Sequence, residues 1–226
     1  MDSFLSKRLE TYDKWLKARR ISHSSRVVPV SESVQEKQWV LPTEQVTEIV
    51  RTAKTVAVQA CECRARYKRC NNPLEVCLLF DEMAEACMDK GEARRVEFSE
   101  AKEILKHANR CGLVHLALYR PDHALYALCS CCPCCCHELQ IIRDSGRREL
   151  IAHSDYVAVT QVDDCVHCRE CVDRCVFGAR EFENGHMIFH PHACTGCGLC
   201  VTTCPTGAIS LSESTRPMPL SSPRRG

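Results

Sequence analysis

Several features are missing from this chain of 226 residues, and each absence narrows its function. No run approaches the ~18 apolar residues of a membrane-spanning helix, so no such span is expected. The opening stretch MDSFLSKRLETYDKWLKARR is charged throughout and has no apolar centre, unlike a secretory signal. A cytoplasmic, reducing setting is the expectation. There is no Gly-rich nucleotide loop, no nicotinamide or flavin fingerprint and no Ser–His–Asp signature. No small-molecule substrate is therefore evident. Excess charge of one sign is lacking too, since the formal net charge is +1. Residues 1–154 carry 24 basic and 21 acidic side chains. That surplus is small for binding duplex phosphates, and nucleic acid is not the expected partner.

What is abundant is cysteine, at 20 residues. In a reducing compartment, clustered cysteines bind metal or do redox work rather than pair as disulfides. Charge is also unevenly spread. Residues 155–212 set Arg169, Arg174 and Arg180 against seven acids. Metal-bound thiolates would deepen that negative balance. An acidic redox domain favours a partner protein with a basic docking face.

The chain divides into three parts. Residues 1–154 read as a mostly helical, cysteine-rich region, residues 155–212 as a compact second domain, and residues 213–226 as a loose tail rich in Pro, Ser and Arg. Leu5, Leu9, Tyr12 and Leu16 at helical spacing predict an amphipathic helix docked on its own domain. A second helix is expected after Pro42, capped by Thr43, with Val46, Ile49, Val50 and Ala53 inward. Residues 55–60 alternate as a short strand. A third helix is expected from Asn72-Pro73 to Gly91, and a fourth from Ser99 to Cys111. Residues 113–119 and 124–128 then read as a hairpin. Helices followed by a hairpin outline a winged-helix module.

Residues 155–212 contain an internal repeat. Cys165, Cys168, Cys171 and Cys175 recur 29 residues later as Cys194, Cys197, Cys200 and Cys204, and Gly178-Ala179 recurs as Gly207-Ala208. Each quartet has the spacing C-x2-C-x2-C-x3-C. The first three cysteines sit on one tight loop and grip an iron–sulfur cubane from one side. The fourth begins a segment directed at the other half and ligates the other cluster. One 4Fe–4S cluster is thus assigned to Cys165, Cys168, Cys171 and Cys204, and a second to Cys194, Cys197, Cys200 and Cys175. Zinc favours pairs of C-x2-C across a longer spacer, and eight thiolates exceed its need. Gly196 and Gly198 allow close backbone approach to the sulfides. Pro205 follows Cys204, whereas Val176 holds the matching place in the first half. His167, His190 and His192 read as exposed loop histidines. Residues 156–160 alternate as a strand, Asn184-Gly185 marks a hairpin, and residues 208–211 supply a last strand.

On these motifs, residues 155–212 resemble the bacterial two-cluster 4Fe–4S ferredoxin family. The resemblance implies a pseudo-symmetric α+β fold, low-potential one-electron transfer and no substrate chemistry in this domain. The expected fold class is therefore α+β, with a mostly helical region preceding a dicluster ferredoxin-like domain.

Twelve cysteines remain outside the repeat. The sharp features are Cys61-Glu62-Cys63-Arg64, then Cys70 and Cys77, and a dense run of Cys129, Cys131, Cys132, Cys134, Cys135 and Cys136. Neighbours on a strand point to opposite sides, so these cannot all pack on one face. Free surface thiols at that density would oxidise. A third metal site is the economical reading, with iron–sulfur preferred and zinc second. It brings the Cys61–Cys63 turn against the Cys129–Cys136 loop, with Arg64 and Arg66 offsetting thiolate charge. Cys77, Cys87 and Cys111 read as small buried hydrophobes. The stretch from Val27 to His137 also resembles the extension of a type of anaerobe ferredoxin-like protein, which carries C-x-C-R and a C-x-C-C-x-C-C-C run ahead of two clusters.

The function expected is an iron–sulfur electron carrier, or an electron-transfer subunit of an oxidoreductase, serving a redox partner protein. Two other classes compete. One is a redox-responsive DNA-binding regulator, suggested by the winged-helix outline. The other is an enzyme acting through an open coordination position in the extension.

Overall fold

The computed structural model describes residues 1–20, 25–27, 49–120 and 125–214. Thr43 and Val46 of the predicted second helix, the hairpin tip at 121–124 and the tail past residue 214 lie outside the described residues.

The chain opens on helix α1 (Ser3–Lys17), with Asp2 as N-cap accepting the Leu5 N–H at 2.9 Å. Its amphipathic face docks on the rest of the extension, as its spacing predicts. Leu5 and Tyr12 are buried with Ile141 and Leu150, and Leu9 and Leu16 are partly buried beside them. Full burial of one such leucine is worth about 2 kcal/mol.

Among the described residues, the extension is built on a seven-stranded sheet, which corrects the mostly helical expectation. Its strands are β1 (Ser25–Val27), β2 (Val56–Ala60), β3 (Glu75–Phe80), β4 (Ala93–Arg95), β5 (Val114–Tyr119), β6 (Leu125–Cys131) and β7 (Ile151–Ala152). They lie in the order β4-β2-β3-β6-β5-β1-β7. All neighbours are antiparallel except β1 and β7. A sheet of this size departs from the winged-helix outline. The predicted hairpin corresponds to β5 and β6.

The largest local departure is at residues 73–91. Only Asp81–Asp89 is helical (α3), and Glu75–Phe80 is a strand. Val76-Cys77-Leu78-Leu79-Phe80 is covered on both faces, so its residues do not alternate apolar and polar, and the short apolar run mimics a helix. Val58, Leu78, Phe80 and Leu128 pack on one face against Leu105 and Ala101 of helix α4 (Phe98–Arg110). Ala57, Leu79 and Ala127 pack on the other face against Ala84 and Cys87 of α3. The predicted fourth helix is thus α4. Among the described residues, the extension also has helices α2 (Glu62–Tyr67) after β2 and α5 (His137–Ser145) after β6, and residues 49–52 are helical.

The repeat folds as two interlocked halves. Strand β8 (Tyr156–Thr160), from the start of the first half, pairs antiparallel with β11 (Ile209–Glu213), from the end of the second. The hairpin of β9 (Arg180–Glu183) and β10 (His186–Phe189) joins the end of the first half to the start of the second, turning at Asn184-Gly185. Short helices α6 (Glu170–Asp173) and α7 (Leu199–Thr203) lie at equivalent places. Backbone conformations repeat as well. His167 and Gly196 are both left-handed (φ 53° and 73°), and so are Arg169 and Gly198 (φ 72° and 77°). Two sequences that differ at these positions therefore trace the same loop.

The two parts share an apolar contact. Val114, Leu116, Cys131, Cys136, Leu139 and Ile151 of the extension cluster with Phe177 and Leu199 of the repeat. Arg174 adds polar links, donating to the carbonyls of Asn109 (2.6 Å) and Arg110 (3.0 Å) at the end of α4.

Candidate metal centres

In the repeat, Cys165 and Cys168 lie on the loop before α6, and Cys171 is in its first turn. Cys204, from the far end of α7, joins them around one pocket, with Met187 and Ile209 on its wall. Cys175 lies with the second set, within electrostatic reach of Cys197 and Cys200, and both of these reach Cys194. Burial, the largest cause, drives the Cys197 thiol well above its ordinary range and that of Cys200 to about 11. Neutral thiols are favoured there only while no cation is present, because a bound metal deprotonates its ligands outright.

Two features hold these loops. At Gly196 an added Cβ would meet the Tyr156 carbonyl oxygen and Ser154 Oγ, each at 2.1 Å. Ser154 Oγ itself donates to the Gly196 carbonyl at 3.0 Å. The close approach and the positive φ together require glycine. At the equivalent place His167 is only partly buried and accepts the Met187 N–H on Nδ1 at 3.0 Å. The second feature is Arg180, which is 3% exposed. Its Nη1 lies 3.9 Å from Cys171 Sγ and donates to Thr160 Oγ1 at 3.1 Å. The same guanidinium hydrogen-bonds Cys200. A buried cation thus touches a thiol of each set.

In the extension the cysteines do not form one site. Strand alternation splits them. Cys129 and Cys131 point to one side of β6, and Cys132 leaves its end on the other. Cys132, Cys134 and Cys135 lie on the turn after β6, held by the Cys136 N–H donating to the Cys132 carbonyl at 3.0 Å. Cys70, which follows α2, completes a quartet. Its sulfur is 3.7 Å from that of Cys132 and 4.0 Å from that of Cys135. All four sulfurs lie within 4.8 Å of one another. Burial opposes ionisation of Cys70, but Asn72 and the neighbouring thiols bring its pKa down to about 7.

The other group comprises Cys61, Cys63, Cys77, Cys129, Cys131 and Cys136. Cys61 lies within electrostatic reach of Cys63 and Cys77, Cys77 within reach of Cys129, and Cys131 within reach of Cys136. The two thiols Cys61 and Cys63 bias one another, so ionisation of Cys61 is favoured and that of Cys63 opposed. Cys63 Sγ also lies 3.0 Å from His137 Nδ1. The other ring nitrogen of His137 is 3.1 Å from both Arg8 Nη2 and the Tyr12 hydroxyl, which ties α1 to this group. Cys77 had read as a small hydrophobe on a helix; it is on β3 and belongs here. Cys87 keeps that reading, packed between α3 and the sheet. Arg64 is buried beside the thiols, whereas Arg66 turns away and stacks on Phe4 at 4.3 Å.

Comparison with known proteins fits this chemistry. The 4Fe–4S binding domain family matches residues 187–210. An uncharacterized ferredoxin of Methanocaldococcus jannaschii is 40% identical over 45 residues, which is 20% of this chain and 73% of that protein. A second uncharacterized ferredoxin of that organism is 37% identical over 51 residues, covering 22% and 31%. Hydrogenase-4 component A of Escherichia coli is 29% identical over 88 residues, covering 38% and 43%. The chain spans only 31 to 55% of the length of three of the curated relatives it matches. No solved structure matches. The cysteine-bearing repeat and these matches place the chain among iron–sulfur proteins. The chain belongs to the 4Fe–4S ferredoxin family.

Proposed function

We propose that the chain carries two 4Fe–4S cubanes and passes single electrons, as a ferredoxin or as the ferredoxin-type subunit of an oxidoreductase. The first cubane is held by Cys165, Cys168, Cys171 and Cys204, and the second by Cys194, Cys197, Cys200 and Cys175. The pocket that three cysteines of one half share with Cys204 of the other carries this reading. It supports an exchange of fourth ligands, which sets two cubanes side by side.

The same reading gives electrons a direction. Cys168 is exposed, and Val162 and Val166 beside the first set are 74% and 63% exposed. Asp163, Asp164 and Glu170 flank them, all exposed. Apolar contact inside an acidic rim suits a redox partner with a basic face. The relative named as a hydrogenase component is compatible with such a partner. At the inner end, Cys175 and Cys197 share an apolar cluster with Cys131 and Cys136 of the extension. The six-thiol group is therefore the third redox centre, an iron–sulfur cluster that takes electrons from the second cubane.

Iron and acid-labile sulfide in anaerobically purified protein test this. Three cubanes require about 12 of each per chain, and two require about 8. The value of about 8 removes the third centre and leaves the pair. No iron–sulfur signal at all overturns the whole reading. Reductive titration followed by EPR should show two interacting half-spin centres, and Cys204→Ser should alter one of them and abolish the interaction.

A further inference from the structure

We propose that Cys70, Cys132, Cys134 and Cys135 form a mononuclear tetrahedral zinc site, separate from every iron–sulfur centre. It stands apart from the electron-transfer reading and does not depend on it. The argument begins with size. A single ion with metal–sulfur bonds of ~2.3 Å at a tetrahedral centre holds its sulfurs ~3.8 Å apart. The distances here are 3.7 Å for Cys70–Cys132 and 4.0 Å for Cys70–Cys135, with all four sulfurs within 4.8 Å of one another. A cubane places an iron at each of four corners and a thiolate beyond each, so its sulfurs stand farther apart. The quartet is too tight for that core and fits one ion.

Charge gives the second line. Four thiolates around a divalent ion leave two net negative charges. Arg64 is 1% exposed, and a buried guanidinium needs an anion or full hydrogen bonding. Its Nη2 donates to the Ser130 carbonyl (3.0 Å) and to Cys132 Sγ (3.7 Å), and its Nη1 donates to the Pro73 carbonyl. Its Nε has no hydrogen-bond partner among the described residues. Asn72 Nδ2 also points a donor at Cys70 Sγ, at 3.5 Å. Donors aimed at sulfur from two sides are the outer contacts expected around metal-bound thiolate. The loaded quartet supplies anionic charge beside Arg64, through Cys132 and Cys70.

Chemistry selects the ion. Four sulfurs in a closed tetrahedron suit zinc in a structural role, with no position left for water or substrate. The site joins the residues after α2 to the turn after β6, so it staples two distant parts of the chain. Because the metal is bound only when these parts meet, its binding free energy adds to folding.

The test is metal analysis of the full-length protein purified anaerobically without added zinc. About one zinc per chain is expected, and absorption at the zinc edge should report four sulfurs at ~2.3 Å. Zinc well below one per chain, or a first shell with nitrogen, oxygen or iron neighbours, overturns the proposal. Cys70→Ser should remove the zinc while the EPR spectrum of the two ferredoxin clusters is unchanged. Cys61→Ser should keep it. Where Cys70→Ser yields too little folded protein, the edge spectrum of the parent protein decides alone. Loss of zinc with iron retained, or the reverse, separates this proposal from the electron-transfer reading.

Discussion

The two cysteine-rich regions present thiols at different spacings. In the repeat, cysteines from two halves line an open-sided pocket beside an exposed loop. In the extension, four sulfurs crowd within 4.8 Å, and six more, from β3, β6, the start of α2 and the start of α5, form a separate group. Sulfur spacing limits what a thiol group can hold, so cysteine density alone does not identify a cofactor. The regions also differ in what fixes the loops. The repeat relies on backbone shape, with left-handed residues recurring 29 positions apart. The extension relies on the end of a central strand, a buried arginine and a turn.

The largest expected effect tests backbone shape in the repeat. Gly196→Ala forces a Cβ to within 2.1 Å of a backbone oxygen. A loss of roughly 3 kcal/mol or more in stability is expected, together with loss of the second cluster. Denaturant unfolding and iron content measure the two. His167→Gly, at the matching position in the first half, should cost only about 1 kcal/mol for its hydrogen bond from Met187. Equal effects at both positions would refute the view that the halves share a backbone but not its constraints.

Arg64→Leu probes the charge argument in the extension. It removes the donor to Cys132 and should weaken zinc affinity roughly 10- to 100-fold, as outer-shell changes do. Competition with a chelator reads this. Arg64→Lys should not restore affinity, since one ammonium cannot serve Pro73, Ser130 and Cys132 together. Arg180→Leu is the counterpart in the repeat. A unit charge ~5 Å away in an effective dielectric of ~20 shifts a potential on the order of 100 mV. Removing it disfavours the more negative, reduced state, so both cubanes should become harder to reduce. Potentiometric EPR of the variant is the check, and an unchanged potential would show that Arg180 serves packing alone.

Much of the fold of the repeat was legible, because Asn184-Gly185 dictates a turn and the 29-residue recurrence implies two similar halves. The strands at 156–160 and 209–213 and the hairpin fall where alternation suggests. The extension was less legible for two physical reasons. A short apolar run such as Val76–Phe80, covered on both faces, carries no period, so it passes for part of a helix. The partition of Cys129, Cys131 and Cys132 depends on where β6 ends, since one residue more or less moves a side chain to the other face. Cys70 joins its quartet only through tertiary contact, and nothing in its local sequence reports that. The C-x-C spacing and the adjacent cysteines after it belong to two overlapping groups of thiols.

A last difference between the regions concerns acid. Among the described residues, the extension contains one fully buried histidine, His115, and the repeat contains none. His115 Nδ1 is 3.0 Å from Ser130 Oγ, while Nε2 has no partner among the described residues. Burial pushes its pKa down from 6.5 to about 3. In the unfolded chain it protonates near 6.5, whereas in the fold it stays neutral until about 3. Below 6.5 the unfolded state therefore binds the extra proton, and stability falls as pH drops until about 3 is reached. Between pH 7.5 and 5.5 the loss should be about 1.4 kcal/mol, at 1.36 kcal/mol per unit below 6.5. His115→Gln should flatten this part of the profile for the extension while leaving the acid loss of the ferredoxin clusters as it was. Denaturant midpoints across that pH range, read alongside the cluster absorbance, separate the two. A variant with the same pH slope as the parent would show that His115 does not set acid sensitivity, and that thiolate protonation governs both regions alike.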